Sequence, residues 1–247
     1  MIAPGTTRLT GDAAAADRAT GGAITKMLGN ALFAGKAAEV TVLPVTGRSK
    51  AKRVVLFGLG EPAKRTVDTF RTQMGNLSRR LRDAGGGSVA ISLDGLDNIE
   101  PGAAGEAIAE GFTLGLYRFD KHHTRAADRP ANTVGDITVV AGAARRVTAA
   151  RRGVERGTIM AEAQNFARDL GNEPANLMTP TIMAARAQQL AAEVGLECTI
   201  IERAEAERLK MGSYLSVSNG SVQPPKFIVL NYRGGGPRGR PIALVGK

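Results

Sequence analysis

The residues of this 247-residue sequence that could carry chemistry are few, and their spacing favours structural roles. Gly58-Leu59-Gly60 could cradle a phosphate, but it lacks the third glycine of a dinucleotide fingerprint, so a turn is favoured over a nucleotide site. The adjacent His122 and His123 would point apart on regular structure and make a poor metal pair. Cys198 has no evident histidine partner and is more typical of a buried thiol than of a nucleophile. The residues alone therefore predict no catalytic or cofactor-binding site.

The charge of the chain is strongly basic, at net +10. The densest basic clusters lie at residues 48–53, 79–82 and 145–152. Such clusters could bind the phosphates of a nucleic acid. With only 4% aromatic residues there is little to stack on bases, so solvated surfaces are favoured and DNA binding is the weaker hypothesis.

The same composition bears on the cellular compartment. No apolar run approaches the ~18 residues of a membrane span, so no membrane association is expected. The first 19 residues lack the apolar stretch of a signal peptide. A single cysteine fits a reducing environment. These features predict a cytoplasmic protein.

Helices and strands alternate along the first part of the chain. Periodicity predicts helices at residues 12–29, 67–81 and 101–115, and strands at 40–44, 52–58, 89–91 and 136–141. The continuous apolar run at 52–58 is typical of a strand buried on both faces. The alternation predicts an α/β fold with a parallel or mixed sheet, and we assign residues 1–143 to an N-terminal α/β domain with a mixed sheet.

A long helical pattern at residues 144–170 connects this domain to the next segment. Its predicted buried side contains Val147, Ala150, Val154, Ala163, Phe166 and Leu170. Gly171-Asn172 is a predicted helix end because both residues tolerate positive φ. Pro174 forbids continuation, and Thr179-Pro180 is typical of a capping residue followed by the first helical position. The pattern predicts a domain junction.

Beyond the junction the pattern predicts the beginning of a second α/β domain, residues 171–247. A helix at 182–194 closes at Gly195, strands are expected at 198–201, 227–230 and 242–245, and a short helix at 204–210. Residues 211–218 are ambiguous between helix and strand. Because the last expected strand runs into Gly246-Lys247, we expect the sequence to be a fragment that stops inside this domain.

Residues 168–180 contain Arg-Asp-Leu, Asn-Glu-Pro-Ala-Asn and Thr-Pro, and they are followed by Gly220-Ser221, Pro224-Pro225, the strand at 227–232 and Ala-Leu-Val-Gly-Lys at 243–247. This set of segments resembles the leucine aminopeptidase (cytosol aminopeptidase) family. Residues 57–60 and 110–120 fit the N-terminal domain of that family. The resemblance covers nearly the whole chain.

The resemblance implies a two-metal exopeptidase that removes N-terminal residues, preferentially leucine, from peptides, and that assembles as a homo-hexamer. It implies that Lys247 ligates one of two divalent ions, manganese or zinc, in the full-length protein. A lysine ligates only as the neutral amine, so the cation must displace its proton. The remaining metal ligands of the family lie beyond Lys247, so we expect this chain alone to bind no metal pair and to be inactive.

Two other hypotheses stay open at this stage. The chain could be a non-catalytic binding or assembly module, possibly one that binds DNA. It could also be an unrelated nucleotide-binding domain built around residues 58–61. Since residues 171–247 would lack the rest of their sheet, we expect them to be less resistant to proteolysis than the segment before Leu170.

Overall fold

The computed structural model describes residues 1–46, 49–125, 133–235 and 240–246, and it divides the chain into two compact units, Met1–Ala167 and Arg168–Lys247. The helices are α1 (Gly11–Ala19), α2 (Ala23–Gly29), α3 (Val67–Asp83), α4 (Pro101–Leu116), α5 (Ala144–Asn172), α6 (Pro180–Val194), α7 (Arg203–Arg208) and α8 (Gly212–Ser218). The strands are β1 (Val40–Pro44), β2 (Arg53–Phe57), β3 (Gly87–Ser92), β4 (Val134–Val140), β5 (Glu197–Ile201) and β6 (Phe227–Asn231). A 3₁₀ turn, Pro62–Lys64, precedes α3.

The N-terminal unit contains both antiparallel and parallel strand pairs. β1 and β2 pair antiparallel, with Val42 opposite Val55. β3 and β4 pair parallel, with Ile91 opposite Val139. The described residues therefore form two small sheets in this unit, where the sequence predicted one mixed sheet. The α/β class itself is confirmed.

Strand β2 lies between two apolar clusters. Phe57 belongs to the larger cluster, formed mainly with α3, α4 and the β3–β4 sheet. Its neighbour Leu56 belongs to a smaller cluster with Ile24 and Phe33. Because successive side chains of a strand point to opposite faces, β2 places apolar groups on both sides. This confirms the predicted burial on both faces for Leu56 and Phe57, which are 4% and 3% exposed.

Helix α3 forms where the periodicity predicts it and packs against α4. Thr66 caps its N-terminus, because its hydroxyl accepts a bond from the Thr69 amide and Thr69 bonds back to the Thr66 amide. Its apolar stripe is fully inside the larger cluster and consists of Phe70, Met74, Leu77 and Leu81. A side chain at Gly75 would press on the Gly111 carbonyl of α4, so the two helices approach closely at this point.

The buried side of α5 differs from the predicted apolar side and shares only Ala150 with it among the described residues. The buried residues of this helix are all small: Ala150, Gly153, Gly157 and Ala161. Val147 and Phe166, predicted to be buried, are 46% and 36% exposed. The reason is the closeness of α4, since a Cβ at Gly153 would collide with the Gly102 carbonyl. Backbone proximity, and not apolar bulk, selects the contact face here.

The end of α5 also differs from the prediction. The helix continues through Gly171 to Asn172, and Gly171 does not adopt a positive φ. The Glu173 amide still donates to the Asp169 carbonyl at 3.2 Å. Pro174, which has no amide hydrogen, comes immediately after that turn. The proline and not the glycine therefore marks the end of the helix.

In the C-terminal unit the predicted start and end of α6 are confirmed. The Thr179 hydroxyl accepts from the Ile182 amide, and Gly195 ends the helix with φ +74°. β5 and β6 pair antiparallel, with Thr199 opposite Val229. The ambiguous segment 211–218 forms helix α8 from Gly212 onward.

The strand predicted at residues 242–245 is not formed, and this prediction was wrong for the described structure. Ile242, Leu244 and Val245 are 90%, 96% and 94% exposed. A strand requires a neighbour to complete its ladder of backbone hydrogen bonds, and no described strand pairs with this segment. An apolar sequence alone does not supply that neighbour.

Candidate functional site

The predicted metal ligand, Lys247, lies outside the described residues. Within the described part of the chain no group of three or more His, Cys, Asp or Glu side chains could hold a metal ion. A two-metal site needs several hard oxygen ligands around each ion. The described residues alone do not supply that set.

The glycine turn at residues 58–60 is a packed structural turn. All three of its amides already donate: Gly58 to Glu39 at 2.8 Å, Leu59 to Ile2 at 2.9 Å and Gly60 to Gly35 at 2.9 Å. Gly60 has φ +68°, which favours glycine. A phosphate site of this kind needs free backbone N–H groups. The turn interpretation is therefore supported, and the nucleotide-binding hypothesis built on this turn is contradicted.

A buried arginine that the sequence did not reveal holds this turn in place. The Arg65 guanidinium donates to the carbonyls of Leu59 at 3.1 Å and Gly60 at 2.8 Å, and to the Asn98 side chain. Burial lowers the pKa of Arg65, while the nearby Asp97 opposes that change. Because Asn98 lies 33 residues away in the sequence, no local sequence pattern predicts this contact. The arrangement fixes a loop and presents no reactive group.

Both histidines lie in the loop after α4, as predicted. The ring of His122 packs edge-on against Phe119 with centroids 5.6 Å apart. The Lys121 ammonium lies 5.8 Å from the centre of the Phe119 ring. The His123 amide donates to the Asp120 carbonyl at 2.9 Å. The structure therefore gives this loop local contacts and no metal cluster among the described residues.

The thiol of Cys198 is only half-buried, on β5 opposite Leu230. It was predicted to be a buried thiol, and this prediction was wrong: among the described residues its sheet has only two strands, β5 and β6. Both histidines of the sequence precede the C-terminal unit, so this unit supplies no histidine that could activate the thiol as a nucleophile.

Ion pairs connect α3, α4 and α5 in the N-terminal unit. Arg71 pairs with Asp68 and with Glu110, whose side chain is only 12% exposed. Burial lowers the pKa of the Arg71 guanidinium, but the two carboxylates outweigh burial and hold the pKa above its ordinary value. Arg156 pairs with Glu106 at 2.7 Å. These charges hold the helices in register with one another.

Several arginines of the predicted basic clusters also have structural partners. Arg53 donates to the carbonyls of Ala84 and Gly86 beyond the end of α3. Arg146 donates to the Leu93 carbonyl at 3.3 Å. Because these guanidinium groups already donate to backbone carbonyls, fewer of their N–H donors remain for the phosphates of a nucleic acid.

In the C-terminal unit an ion pair connects the residue before β6 to the residue before α7. Lys226 pairs with Glu202 at 2.6 Å and is only 14% exposed. Next to it, the Tyr214 ring packs edge-on against Phe227 with centroids 5.4 Å apart. Burial raises the pKa of the Tyr214 hydroxyl; Arg203 lowers it and Glu202 raises it. These residues position the strand and form no catalytic arrangement.

None of the helices in the described residues is long and apolar enough to cross a membrane.

Family models match both parts of the chain. The model for the N-terminal domain of the cytosol aminopeptidase family matches residues 6–126, and the model for its catalytic domain matches residues 165–247. A probable cytosol aminopeptidase of Alkaliphilus metalliredigens is 36% identical over 232 residues, which are 94% of this chain and 46% of that relative. One from Solibacter usitatus is 40% identical over 215 residues, 87% of this chain and 43% of the relative. The chain therefore spans about half the length of the curated relatives it matches.

Solved structures share the fold. The bottromycin maturation enzyme BotP in complex with Mn superposes with a TM-score of 0.70 at 27% identity, over 94% of this chain and 44% of that one. A mutant of tomato leucine aminopeptidase superposes with a TM-score of 0.73 over 93% of this chain and 45% of that one, and at 21% identity it shows the fold alone. Together, the matches on both sides of the connecting helix establish that this chain belongs to the cytosol aminopeptidase family.

Proposed function

We propose that this chain is the N-terminal domain and the first part of the catalytic domain of a two-metal-dependent aminopeptidase that removes N-terminal residues, preferably leucine, from peptides. The observation that carries the proposal is the match to the family's catalytic domain at residues 165–247, next to a matched N-terminal domain. The relatives, named probable cytosol aminopeptidases, are about twice as long as this chain.

In this proposal Lys247 is a metal ligand of the complete site, with manganese or zinc as the ions. The Mn in the BotP structure supports a divalent metal for this fold. The ions would polarise the scissile carbonyl and activate a water. The chain's own contribution is the amine of Lys247, which ligates only after losing its proton.

The proposal also holds that the 247-residue chain alone has no peptidase activity, because one lysine does not replace the carboxylates of a two-metal site. The assay is hydrolysis of leucine p-nitroanilide with and without Mn²⁺. We expect no release above the buffer rate. Release that a chelator abolishes would contradict the inactivity of the isolated chain.

The proposal predicts a longer gene product that continues past Lys247, and this product provides the positive test. We expect it to hydrolyse leucine p-nitroanilide, and we expect Lys247→Ala to abolish that activity together with metal binding measured by atomic absorption. The matched control is Lys210→Ala at an exposed position, which should keep both. A stop codon directly after Lys247, or full activity in Lys247→Ala, would contradict the proposal.

We further place the full-length protein in the cytoplasm as a homo-hexamer. The names of the relatives support the location. Light scattering of the full-length product tests the assembly: a mass six times that of one chain is expected, and a monomer would contradict it.

One observation favours a second candidate, a non-catalytic module that binds DNA. Arg145, Arg151 and Arg152 are exposed in the first half of α5, and their side chains form no hydrogen bond or ion pair within the described residues. Three unpaired arginines on one helix could contact phosphates. DNA affinity that falls steeply with salt would support this candidate, and no retention of DNA at low salt would remove it.

A further inference from the structure

A cleft of about 340 Å³ opens between α3 and the β1–β2 sheet of the N-terminal unit. Val40 of β1, Phe57 of β2 and Leu77 of α3 give it an apolar floor. Gln73, Arg80 and Asp83 of α3 also line it. A volume at the lower end of the range for ligand sites, with an apolar lining and a few polar groups, is typical of a small-molecule site.

One polar group of the cleft lacks a hydrogen-bond partner among the residues that the structure describes. Gln73 Oε1 is buried and accepts no hydrogen bond from the described residues. A buried acceptor without a donor destabilises the folded state, so a ligand that supplies the donor gains affinity. The terminal torsion of glutamine is soft, and the carboxamide can therefore rotate to meet a donor in the cleft.

Two charged groups of α3 lie one turn apart in the same lining. Arg80 is exposed, and its side chain has no ion pair or hydrogen bond within the described parts of the chain. Asp83 accepts one bond, from Arg82 at 3.0 Å. A carboxylate can accept about four bonds, so Asp83 keeps spare capacity. The cleft thus combines a free guanidinium with a carboxylate and a carboxamide oxygen.

We propose that this cleft binds a free α-amino acid with an apolar side chain, such as leucine. The α-carboxylate accepts from the Arg80 guanidinium, and the α-ammonium donates to Gln73 Oε1, seven residues earlier on the same face of α3. Asp83, about 15 Å from Gln73 along the helix axis, is too far away to share that ammonium. The aliphatic side chain packs on the apolar floor. Each of the three groups of the ligand meets a lining group of matching chemistry. The proposal does not rest on the proposed peptidase function, because no metal ligand takes part.

Calorimetric titration of the 247-residue chain with L-leucine, in the presence of EDTA, tests the proposal. We expect saturable binding with one site per chain. Glycine, leucinamide and N-acetyl-leucine each lack one of the three groups, and each should bind about tenfold more weakly or worse. Glycyl-leucine keeps the carboxylate and side chain but displaces the ammonium, so equal affinity for it would point to peptide C-termini and overturn the free amino acid.

Variants separate this cleft from any other leucine site. Arg80→Gln, at an exposed position that should leave the fold intact, is expected to weaken leucine binding about tenfold. The same variant should leave leucinamide binding unchanged, since that ligand has no carboxylate. The control Arg152→Gln, exposed on α5, should bind leucine like the original chain. No saturable heat at millimolar leucine, or the same weakening in both variants, would overturn the proposal.

Discussion

The Nη2 of Arg65 donates to the carbonyl oxygen of Gly60 at 2.8 Å, across the turn that follows β2. The same guanidinium also reaches the Leu59 carbonyl and the Asn98 side chain. One cation therefore satisfies a turn and a loop that are distant in sequence. Arg65 is only 7% exposed, so water cannot replace these bonds.

Replacing Arg65 by lysine is expected to lower the free energy of unfolding by about 2–4 kcal/mol, because an ammonium cannot reproduce the planar fork and leaves buried acceptors unpaired. Urea unfolding monitored by circular dichroism measures the change. Arg152→Lys, at an exposed position, is the control and should change stability little. A loss below about 1 kcal/mol at Arg65 would show that the turn holds without the fork.

The closeness of α4 and α5 gives a second prediction. Gly153→Ala would place a methyl group on the Gly102 carbonyl, and we expect it to destabilise the chain by about 1–3 kcal/mol or more. The matched control is Gly171→Ala in the same helix, where nothing lies within 4 Å. There the gain in helix propensity should stabilise by about 0.5–1 kcal/mol. Thermal unfolding measures both variants. Destabilisation by Gly171→Ala would instead support the prediction from the sequence that the helix ends at Gly171-Asn172.

The capping box of α3 provides a third prediction. Thr66→Ala removes the acceptor for the Thr69 amide, 3.1 Å away, and should cost about 1 kcal/mol. Thr72→Ala in the middle of the same helix is the control, because alanine is the better helix former there and the change should be neutral or mildly stabilising. Equal losses in the two variants, measured by urea unfolding, would contradict a capping role.

Asp17 gives a prediction about pH. The N-cap of α2 is Gly22, which has no side chain, and Asp17 accepts in its place from the Thr25 amide at 3.0 Å and hydroxyl at 2.6 Å. Burial raises the pKa of Asp17, but these hydrogen bonds together outweigh it and hold the pKa below its ordinary value. A carboxyl with a lowered folded-state pKa stabilises fully above the unfolded-state pKa, and this contribution disappears as the pH falls through the folded-state pKa.

The stability difference between the original chain and Asp17→Ala should therefore be largest near neutral pH and shrink below about pH 4. Urea unfolding of both proteins at several pH values measures it. A difference that is constant across that range would show that the charge of Asp17 is not involved.

Limited proteolysis tests the unequal burial of the two units. The larger apolar cluster lies in the first unit, whereas the buried apolar residues among those described in the second unit are the alanines Ala184, Ala191 and Ala206. Local stability follows buried apolar contact, so trypsin should cut first after residue 167 and leave an N-terminal core. Equal resistance on both sides of Leu170 would contradict this expectation.

The sequence predicted α3, α4 and the six strands that form because each carries its own periodicity or apolar run. It could not predict the contact side of α5, since Gly153 and Gly157 are chosen by the distance to another helix and not by hydrophobicity. The prediction of a strand at 242–245 was wrong for a related reason: a strand forms only where a neighbouring strand pairs with it. For the site, the residues at 58–60 could be read as a turn, Arg65 could not be foreseen, and Lys247 stays a prediction.

The position of β2 between two apolar clusters limits how this part of the chain can vary in length. A single residue inserted in the strand would exchange the sides on which Leu56 and Phe57 lie. The leucine would then face the larger cluster and the phenylalanine the smaller one, and neither side chain would fit the space left by the other. A strand with one solvent-exposed face can tolerate a change of side chain on that face, whereas β2 packs against an apolar cluster on both faces. Insertions and deletions among related chains should therefore concentrate in the segment that joins β1 to β2 and spare the strand itself.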